Sequence, residues 1–113
     1  MEDCLFCKLA SQNLPSTLLH EDELCVALED IFPKAPVHLL VIPKAHVPSA
    51  LEIKPDQEAL AGHLVAVGAA LARQRGLSEK GFRMVFNTGR DAGQTVQHLH
   101  LHVLGGHGLG AMG

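Results

Sequence analysis

The chain has 113 residues, of which 47% are hydrophobic and 19% charged, and its net charge is -3 at pH 7. These values fit a single folded domain over residues 1–113 and exclude a disordered chain, and no apolar run reaches the length of about 18 residues that crosses a bilayer. A negative net charge without a Lys/Arg cluster argues against a protein that binds nucleic acid through many phosphate contacts.

Two strands are predicted in the first half of the chain, after a short helix over residues 5–12. Residues 24–31 place apolar side chains at alternate positions, and residues 37–42 form a short apolar run rich in β-branched side chains. The segment 30–36 between them contains two prolines, which predict a reversal of the chain. We therefore expect a hairpin with a long loop.

A long helix is predicted from residue 55 to about residue 75. Apolar side chains recur there at offsets of four, three and four: Leu60, Leu64, Val67 and Leu71. Pro55 suits the first turn and Gly76 suits the position just after the last turn. Residues 82–86 and 96–104 then predict two further strands. This order of elements favours an α+β fold in which the helix covers one face of an antiparallel sheet.

Histidine is clustered: four of the eight histidines lie between residues 98 and 107. Residues 97–104 alternate strictly, so a strand would direct three histidines to one face and three apolar side chains to the other. The two sets are His98, His100 and His102, and Leu99, Leu101 and Val103. Exposed strand faces more often carry Thr, Lys or Glu, so a functional role is favoured over a polar face that happens to contain histidine.

The three histidines allow two kinds of chemistry. The first and third would stand about 13 Å apart at roughly 3.3 Å per residue, so one metal ion cannot bind all three, although an adjacent pair could share one. A neutral imidazole is also a phosphoryl nucleophile when its other ring nitrogen is held as a donor. The middle residue, His100, is placed for that role, and both hypotheses stay open at this point.

Residues 98–104 resemble the histidine triad motif, His-φ-His-φ-His-φ-φ, in which φ is apolar. Segments 30–38, 41–46, 87–95 and 103–106 also resemble segments of the histidine triad (HIT) superfamily, in the same order. The likeness covers nearly the whole chain. It implies an antiparallel sheet of about five strands, with one long helix and a short N-terminal helix.

Single positions favour the Hint branch of this superfamily. The branch that transfers uridylyl groups has Gln where this chain has His102, and Fhit-like dinucleotide hydrolases typically have Pro where it has Gly105 and Gly106. The resemblance therefore implies hydrolysis of purine nucleoside phosphoramidates and related AMP or GMP conjugates. Eukaryotic Hint proteins carry an aromatic residue in the tail, but residues 105–113 contain no Trp, which leaves the leaving-group preference open.

The resemblance also implies catalytic roles. His100 would attack the α-phosphorus and form a nucleotidyl-histidine that water hydrolyses. His102 would contact the phosphoryl oxygens and help to move a proton to the leaving amine. His38 and His98 would extend a hydrogen-bonded chain that fixes the tautomer of His100, and the Thr95 hydroxyl would lie near the leaving group.

Nucleotide binding is assigned by resemblance to a larger set of residues. These are Phe6, Leu9, Leu28, Asp30, Ile31, Asn87, Gly93, Gln94 and Thr95. The Asp30 carboxylate would accept hydrogen bonds from both ribose hydroxyls, and the apolar members would form the base pocket. Six of them have a plainer alternative: a solvated loop for Asp30, a turn residue for Asn87 and ordinary core for the four apolar side chains.

Cys4 and Cys7 form a Cys-x-x-Cys pair with no predicted strand before it, which argues against a thioredoxin-like site. In relatives with this pair, a structural zinc is completed by residues that match His46 and His98, giving a closed tetrahedral Cys₂His₂ set. The alternative is two buried thiols. Cys25 is expected in the core.

The resemblance implies a homodimer assembled through the long helix and a sheet edge, a purine nucleotide as small-molecule substrate, and catalysis that requires no cofactor. The N-terminal residues resemble no secretory or transit signal, so a cytoplasmic protein is expected. Two other functions are considered: a nucleotide-binding regulatory module with incidental turnover, and a metalloenzyme that uses His98 and His100.

Overall fold

A computed structural model describes residues 4–11 and 17–112. Within these residues, one antiparallel sheet has the strand order β1-β2-β3-β5-β4. Its strands are β1 (His20–Glu21), β2 (Cys25–Glu29), β3 (Val37–Pro43), β4 (Phe82–Val85) and β5 (Leu101–Gly105). A short helix, α1 (Leu5–Ala10), precedes the sheet, and a long helix, α2 (Glu58–Gln74), connects β3 to β4. The predicted α+β fold with a five-stranded antiparallel sheet and two unequal helices is confirmed.

The two faces of the sheet are covered by different helices. Alternate side chains of β3 point to opposite faces, so that Leu39 and Val41 pack with α2 while Leu40 and Ile42 pack with α1. The α2 face holds the larger core, which includes Cys25, Ala27, Leu64, Leu71, Leu99, Leu101 and Val103. Because α1 has only 6 residues, it covers its face incompletely and leaves room for a cleft there.

Both ends of α2 follow the signals in the sequence. A 3₁₀ turn over Pro55–Gln57 leads into the helix, so the regular helix starts slightly later than predicted. At the other end Gly76 has φ of 76°, its N–H donates to Arg73, and the N–H of Leu77 donates to Ala72. This is a Schellman motif, in which the left-handed residue is normally glycine.

The predicted strand over residues 96–104 is wrong in its first half, because β5 begins only at Leu101. The pairing between β3 and β5 ends at Val41 and Leu101, although β3 continues to Pro43 beside β2. The backbone N–H of Leu99 donates instead to the carbonyl of Val47, 2.6 Å away. Of the three triad histidines only His102 therefore lies within a strand. The apolar set between them still faces the α2 core as the alternation predicts.

The other predicted strands, 24–31, 37–42 and 82–86, correspond to β2, β3 and β4, with ends that differ by one or two residues. The two-residue strand β1 was not predicted. The predicted N-terminal helix ends at Ala10 rather than at residue 12, which lies outside the described residues. Among the residues that the structure describes, no helix is long and apolar enough to cross a membrane.

Candidate functional site

A cleft of about 1160 Å³ opens on the α1 face of the sheet. Most of the residues predicted for catalysis or nucleotide binding line it: Phe6, Leu9, Leu28, Asp30, Ile31, His38, Asn87, Gly93, Thr95, His100 and His102. Two predicted residues, Gln94 and His98, are buried and do not contribute to its wall. Eleven of the thirteen residues predicted for catalysis or nucleotide binding therefore lie in the cleft wall, and the two exceptions have structural roles described below.

The ring of His100 is oriented by a backbone carbonyl. Its Nδ1 lies 2.8 Å from the carbonyl oxygen of His98, and since a carbonyl only accepts, Nδ1 carries the hydrogen. In the neutral ring the lone pair is then on Nε2. The Phe6 and His100 rings make a T-shaped contact, with ring centroids 4.8 Å apart, which further restricts the imidazole. The tautomer that a nucleophilic histidine needs is set by these contacts.

A second chain of hydrogen bonds sets the tautomer of His102. The backbone N–H of Lys34 donates to Nδ1 of His38, 3.0 Å away, so the hydrogen of neutral His38 is on Nε2. That atom donates to Nδ1 of His102 at 2.9 Å, which leaves the hydrogen of neutral His102 on its own Nε2. The predicted chain through His38 thus ends at His102, and His100 is instead held by the backbone of His98.

Burial keeps these two rings uncharged at neutral pH. Burial is the largest cause for His102, followed by repulsion from His100 and His38, and together they lower its pKa to about 4. Burial also lowers the pKa of His38, although the nearby Asp30 carboxylate acts in the opposite direction. The cleft therefore holds a neutral donor, His102, close to His100, their ring centroids being 4.9 Å apart.

Asp30 directly follows β2, at the start of the β2–β3 loop, and its carboxylate contacts both a backbone N–H of this loop and the ring of His38. Its Oδ1 accepts from the backbone N–H of Phe32 at 2.8 Å, and its Oδ2 is 3.4 Å from Nε2 of His38. The carboxylate is thus partly engaged in a local turn, whereas the plainer alternative was a solvated loop residue. It also lines the cleft, so it remains positioned for the predicted ribose contact.

The predicted base pocket divides into two kinds of residue. Phe6, Leu9 and Leu28 are buried and form one wall of the cleft together with the α1-face core. Ile31 is 82% exposed and stands at the rim. Among the described residues, none covers the exposed Ile31 side chain. The buried apolar wall and Ile31 together therefore form a place where a flat ring can bind.

The loop 87–96 is shaped by a buried amide. Gln94 receives a hydrogen bond from the N–H of Gly89 and donates to the carbonyls of Pro48 and Val96, at 2.8 to 3.0 Å. Gly93 has φ of 81°, a conformation that disfavours any residue with a side chain. Gln94 is therefore a positioning residue that holds the loop, and the loop presents Thr95 to the cleft.

Several lining residues were not found from the sequence, among them Lys34, Arg83 and Met112. Arg83 is on β4, two strands from the β2–β3 loop, and its guanidinium donates to the carbonyl of Gly110 at 2.9 Å, which ties the tail to the sheet. A Lys and an Arg in the wall favour an anionic ligand. The alternation of β4 could have placed Arg83 on the cleft face, but no local pattern marks Lys34, whose backbone N–H also donates to His38.

The four residues predicted to bind zinc come together at the N-terminus of α1. The ring nitrogen Nδ1 of His98 lies 3.4 Å from Sγ of Cys4 and 3.3 Å from Sγ of Cys7, while Nδ1 of His46 is 3.1 Å from Sγ of Cys7 and 3.1 Å from Nδ1 of His98. All four ligand atoms lie within 4.8 Å of one another. Tetrahedral zinc with bonds of about 2.0–2.3 Å places its ligands roughly 3.3–3.8 Å apart, so the set fits this ion.

The hydrogen bond made by the His98 ring suits this residue to binding a metal ion. Its Nε2 donates to the carbonyl of Pro43 at 2.9 Å, so the neutral ring has its lone pair on Nδ1, the atom that faces the cysteines. Both nitrogens of His98 are thus directed away from His100, which argues against a metalloenzyme built on those two residues. Cys4 and Cys7 are only partly buried and their sulfurs face imidazoles, which favours metal binding over the alternative of two buried thiols.

Comparisons with known proteins agree with this geometry. The HIT domain family matches residues 11–109. The purine nucleoside phosphoramidase of Escherichia coli K12 is 39% identical over 111 residues, which are 98% of this chain and 93% of that protein. Two solved structures are also similar. A HIT family hydrolase from Legionella pneumophila has a TM-score of 0.91 at 43% identity and covers 94% of this chain and 95% of its own.

A histidine triad protein from Clostridium difficile has a TM-score of 0.95 at 39% identity, with 100% of this chain and 98% of that chain covered. Together with the triad and its cleft, these matches define the class of the protein. The chain belongs to the HIT domain family.

Proposed function

We propose that the protein hydrolyses purine nucleoside phosphoramidates and related AMP or GMP conjugates at the α-phosphate, through a nucleotidyl-histidine on His100. The observation that carries this proposal is the 2.8 Å hydrogen bond from Nδ1 of His100 to the His98 carbonyl, which leaves the Nε2 lone pair free to attack. The relation to the E. coli protein named purine nucleoside phosphoramidase supports the choice of substrate class.

The first step forms a bond between His100 Nε2 and phosphorus and breaks the bond from phosphorus to the leaving amine. The negative charge of a bound phosphate favours the protonated form of His102, so this ring hands a proton to the departing amine and becomes neutral. In the second step water attacks phosphorus, the His100–phosphorus bond breaks, and His102 recovers a proton from the water. Protons and charge therefore balance over the cycle.

The remaining contacts bind the nucleotide. The Asp30 carboxylate accepts from the ribose hydroxyls, Phe6 and Leu28 contact one face of the purine, and the loop that carries Thr95 contacts the phosphate and leaving group. Lys34 and Arg83 make the cleft attractive to an anion. The reaction needs no bound cofactor, because attack and proton transfer are both assigned to histidine.

The proposed zinc at Cys4, Cys7, His46 and His98 has a structural role. Four protein ligands leave no open position on the ion for substrate. The ion would therefore link α1 to the segments that carry His46 and His98, next to β3 and β5, and would take no part in the reaction. His98 would connect this cluster to the catalytic centre, since its ring belongs to the metal set and its carbonyl holds His100.

The proposed assembly is a homodimer. Strand β4 lies at one end of the sheet order, and an edge strand offers unpaired backbone groups to another copy. Val65 on α2 and Phe82 on β4 are large apolar side chains with 42% and 36% exposure, and α2 contacts β4. A two-fold contact over this surface would bury both.

Turnover of adenosine 5′-phosphoramidate tests the activity directly, and rapid quenching of a labelled substrate tests the mechanism. Label should be recovered on the peptide that contains His100, as an acid-labile adduct. Label on another residue would overturn the mechanism. Tight nucleotide binding without turnover of any phosphoramidate would favour the regulatory module instead.

A further inference from the structure

A second group of metal-ligating side chains lies outside the cleft and outside the cysteine cluster at α1. It consists of His20 on β1, Asp22 in the turn that follows, Cys25 at the start of β2 and His63 on α2. Their ligand atoms all lie within 4.8 Å of one another, although His63 is separated from Asp22 by 41 residues. None of the four lines the cleft.

The group converges on one carboxylate oxygen. Oδ2 of Asp22 is 2.7 Å from Nε2 of His20, 2.6 Å from Nε2 of His63 and 3.7 Å from Sγ of Cys25. The other oxygen, Oδ1, accepts from the backbone N–H groups of Leu24 and Cys25 at 2.7 and 2.9 Å. The turn therefore fixes the orientation of the Asp22 carboxylate through Oδ1, and Oδ2 faces the two imidazoles and the thiol. Hydrogen bonds to metal-binding carboxylates orient them in the same way.

Hydrogen bonding alone does not account for the whole group. Two imidazoles satisfy Asp22 without any help from sulfur, yet the fully buried Cys25 directs its thiol to the same oxygen. Two imidazoles, a carboxylate and a thiol are a donor set for Zn²⁺ or a related transition ion. The present separations need to change by less than about 1 Å to reach the roughly 3.3–3.8 Å edges of a tetrahedral site.

The group is also accessible from one side. The side chains of His20, His63 and Asp22 are 34%, 33% and 28% exposed, while Cys25 forms the buried base. An ion can thus enter past the imidazoles and reach the thiol. The neighbouring cation Lys44 is paired with Glu21 at 2.9 Å, so its charge is partly neutralised.

We propose that His20, Asp22, Cys25 and His63 form a second, independent binding site for Zn²⁺ or a similar thiophilic divalent ion. On binding, each imidazole coordinates through Nε2 and carries its hydrogen on Nδ1, and a metal–sulfur bond replaces the S–H bond of Cys25, whose proton passes to solvent. The bound ion connects the β1–β2 hairpin to α2 across the edge of the larger core. It stabilises the fold without contacting the nucleotide cleft.

The test uses the full chain, stripped with chelator and titrated with Co²⁺ and with ¹¹³Cd²⁺. His63→Gln should bind one equivalent fewer than the wild type, and the lost ¹¹³Cd resonance should be the one expected for a single thiolate ligand. His107→Gln, a change at an exposed histidine outside both groups, should retain every equivalent. Saturating Zn²⁺ should raise the Tm of the wild type more than that of His63→Gln.

His20→Gln provides a second variant, since it changes the hairpin rather than the helix, and should lose the same equivalent. The double variant Cys4→Ser/Cys7→Ser, which leaves no thiolate in the cysteine cluster, should keep the single-thiolate resonance, and this separates the two sites. Equal metal stoichiometry in the wild type, His63→Gln and His20→Gln would overturn the proposal. So would the absence of any ¹¹³Cd resonance with one thiolate ligand in the wild type.

Discussion

The backbone of His98 orients the ring of His100, while the imidazole of His98 lies in the cluster with Cys4 and Cys7. The carbonyl of His98 accepts from Nδ1 of His100 at 2.8 Å, and the His98 ring lies between the carbonyl of Pro43 and the sulfurs of Cys4 and Cys7. A side-chain substitution at His98 therefore leaves the acceptor for His100 in place but changes the packing that positions it. The proposed nucleophile, His100, can be tested without disturbing the cysteine cluster.

His100→Ala should lose at least about 10³-fold in kcat, because both chemical steps pass through this ring. Nucleotide binding should persist, since the base and ribose contacts lie elsewhere in the cleft. Stopped-flow turnover of a phosphoramidate and calorimetric titration with AMP measure the two quantities. The matched control is His107→Ala, an exposed histidine outside the cleft, which should keep wild-type kcat. Turnover by His100→Ala at a near wild-type rate would refute its assignment.

Asp30→Ala should raise KM about tenfold or more while changing kcat less, because a ribose contact is made equally in the ground and transition states. Asp30→Asn keeps an oxygen for the Phe32 N–H and removes the charge, so it separates the turn from the ribose contact. Asp91→Ala removes a carboxylate that is 92% exposed and serves as the control. A KM for Asp30→Ala equal to that of the wild type would contradict the ribose assignment.

Periodicity predicted the elements that bury apolar surface along their whole length. The stripe on α2 and the alternation of β2 and β3 are local patterns, and each has one structural solution. The same alternation extended the last strand too far at residues 96–100, because a strand also needs a partner. Which segment lies beside residues 96–100 depends on how the whole chain folds, and the alternation within the segment carries no information about it.

The candidate site shows the same division. The residue types and their spacing predicted which histidines and cysteines lie in the cleft or in the cluster at α1, but not their hydrogen-bond partners. The tautomer of His38 depends on the backbone N–H of Lys34, and every residue except proline has such a group. The group around Asp22 was missed because His63 lies on another element and forms no motif with the hairpin residues.

Protein purified without chelator should contain zinc, and Cys4→Ala, Cys7→Ala and His46→Ala should each hold one equivalent less than the wild type. Removal of one ligand opens a tetrahedral structural site and weakens it strongly. Elemental analysis measures the content, and His107→Ala is the control. Unchanged metal content in Cys4→Ala would show that the cluster does not hold the ion.

The mass in solution should be twice the 12.1 kDa of the chain, because the β4 edge and α2 provide the surface for a two-fold contact. Val65→Glu on α2 should shift the equilibrium toward monomer, since a charge would be buried in the interface. Leu51→Glu, at an 82% exposed position on another element, should not. Light scattering that gives a mass near 12.1 kDa for the wild type would rule out the dimer.

Stability should fall as the pH is lowered from about 6.5 to about 4. The pKa of His102 is about 4 in the folded protein and about 6.5 in an unfolded chain, so within this range the unfolded state binds a proton that the folded state does not. The free energy of unfolding should therefore decrease by on the order of 3 kcal/mol from this group. Burial lowers the pKa of His38 and His98 as well, and these rings act in the same direction.

Urea denaturation of the chelator-treated protein at a series of pH values measures this dependence. His102→Gln removes one titrating group, so its free energy of unfolding should vary less with pH between 4 and 6.5, whatever its absolute stability. His107→Gln should follow the wild-type slope. The slope equals the difference in bound protons between the two states, so identical slopes for the wild type and His102→Gln would mean that His102 is not held neutral by burial. The proton transfer proposed for His102 would then start from a ring that is already readily protonated, without help from a bound phosphate.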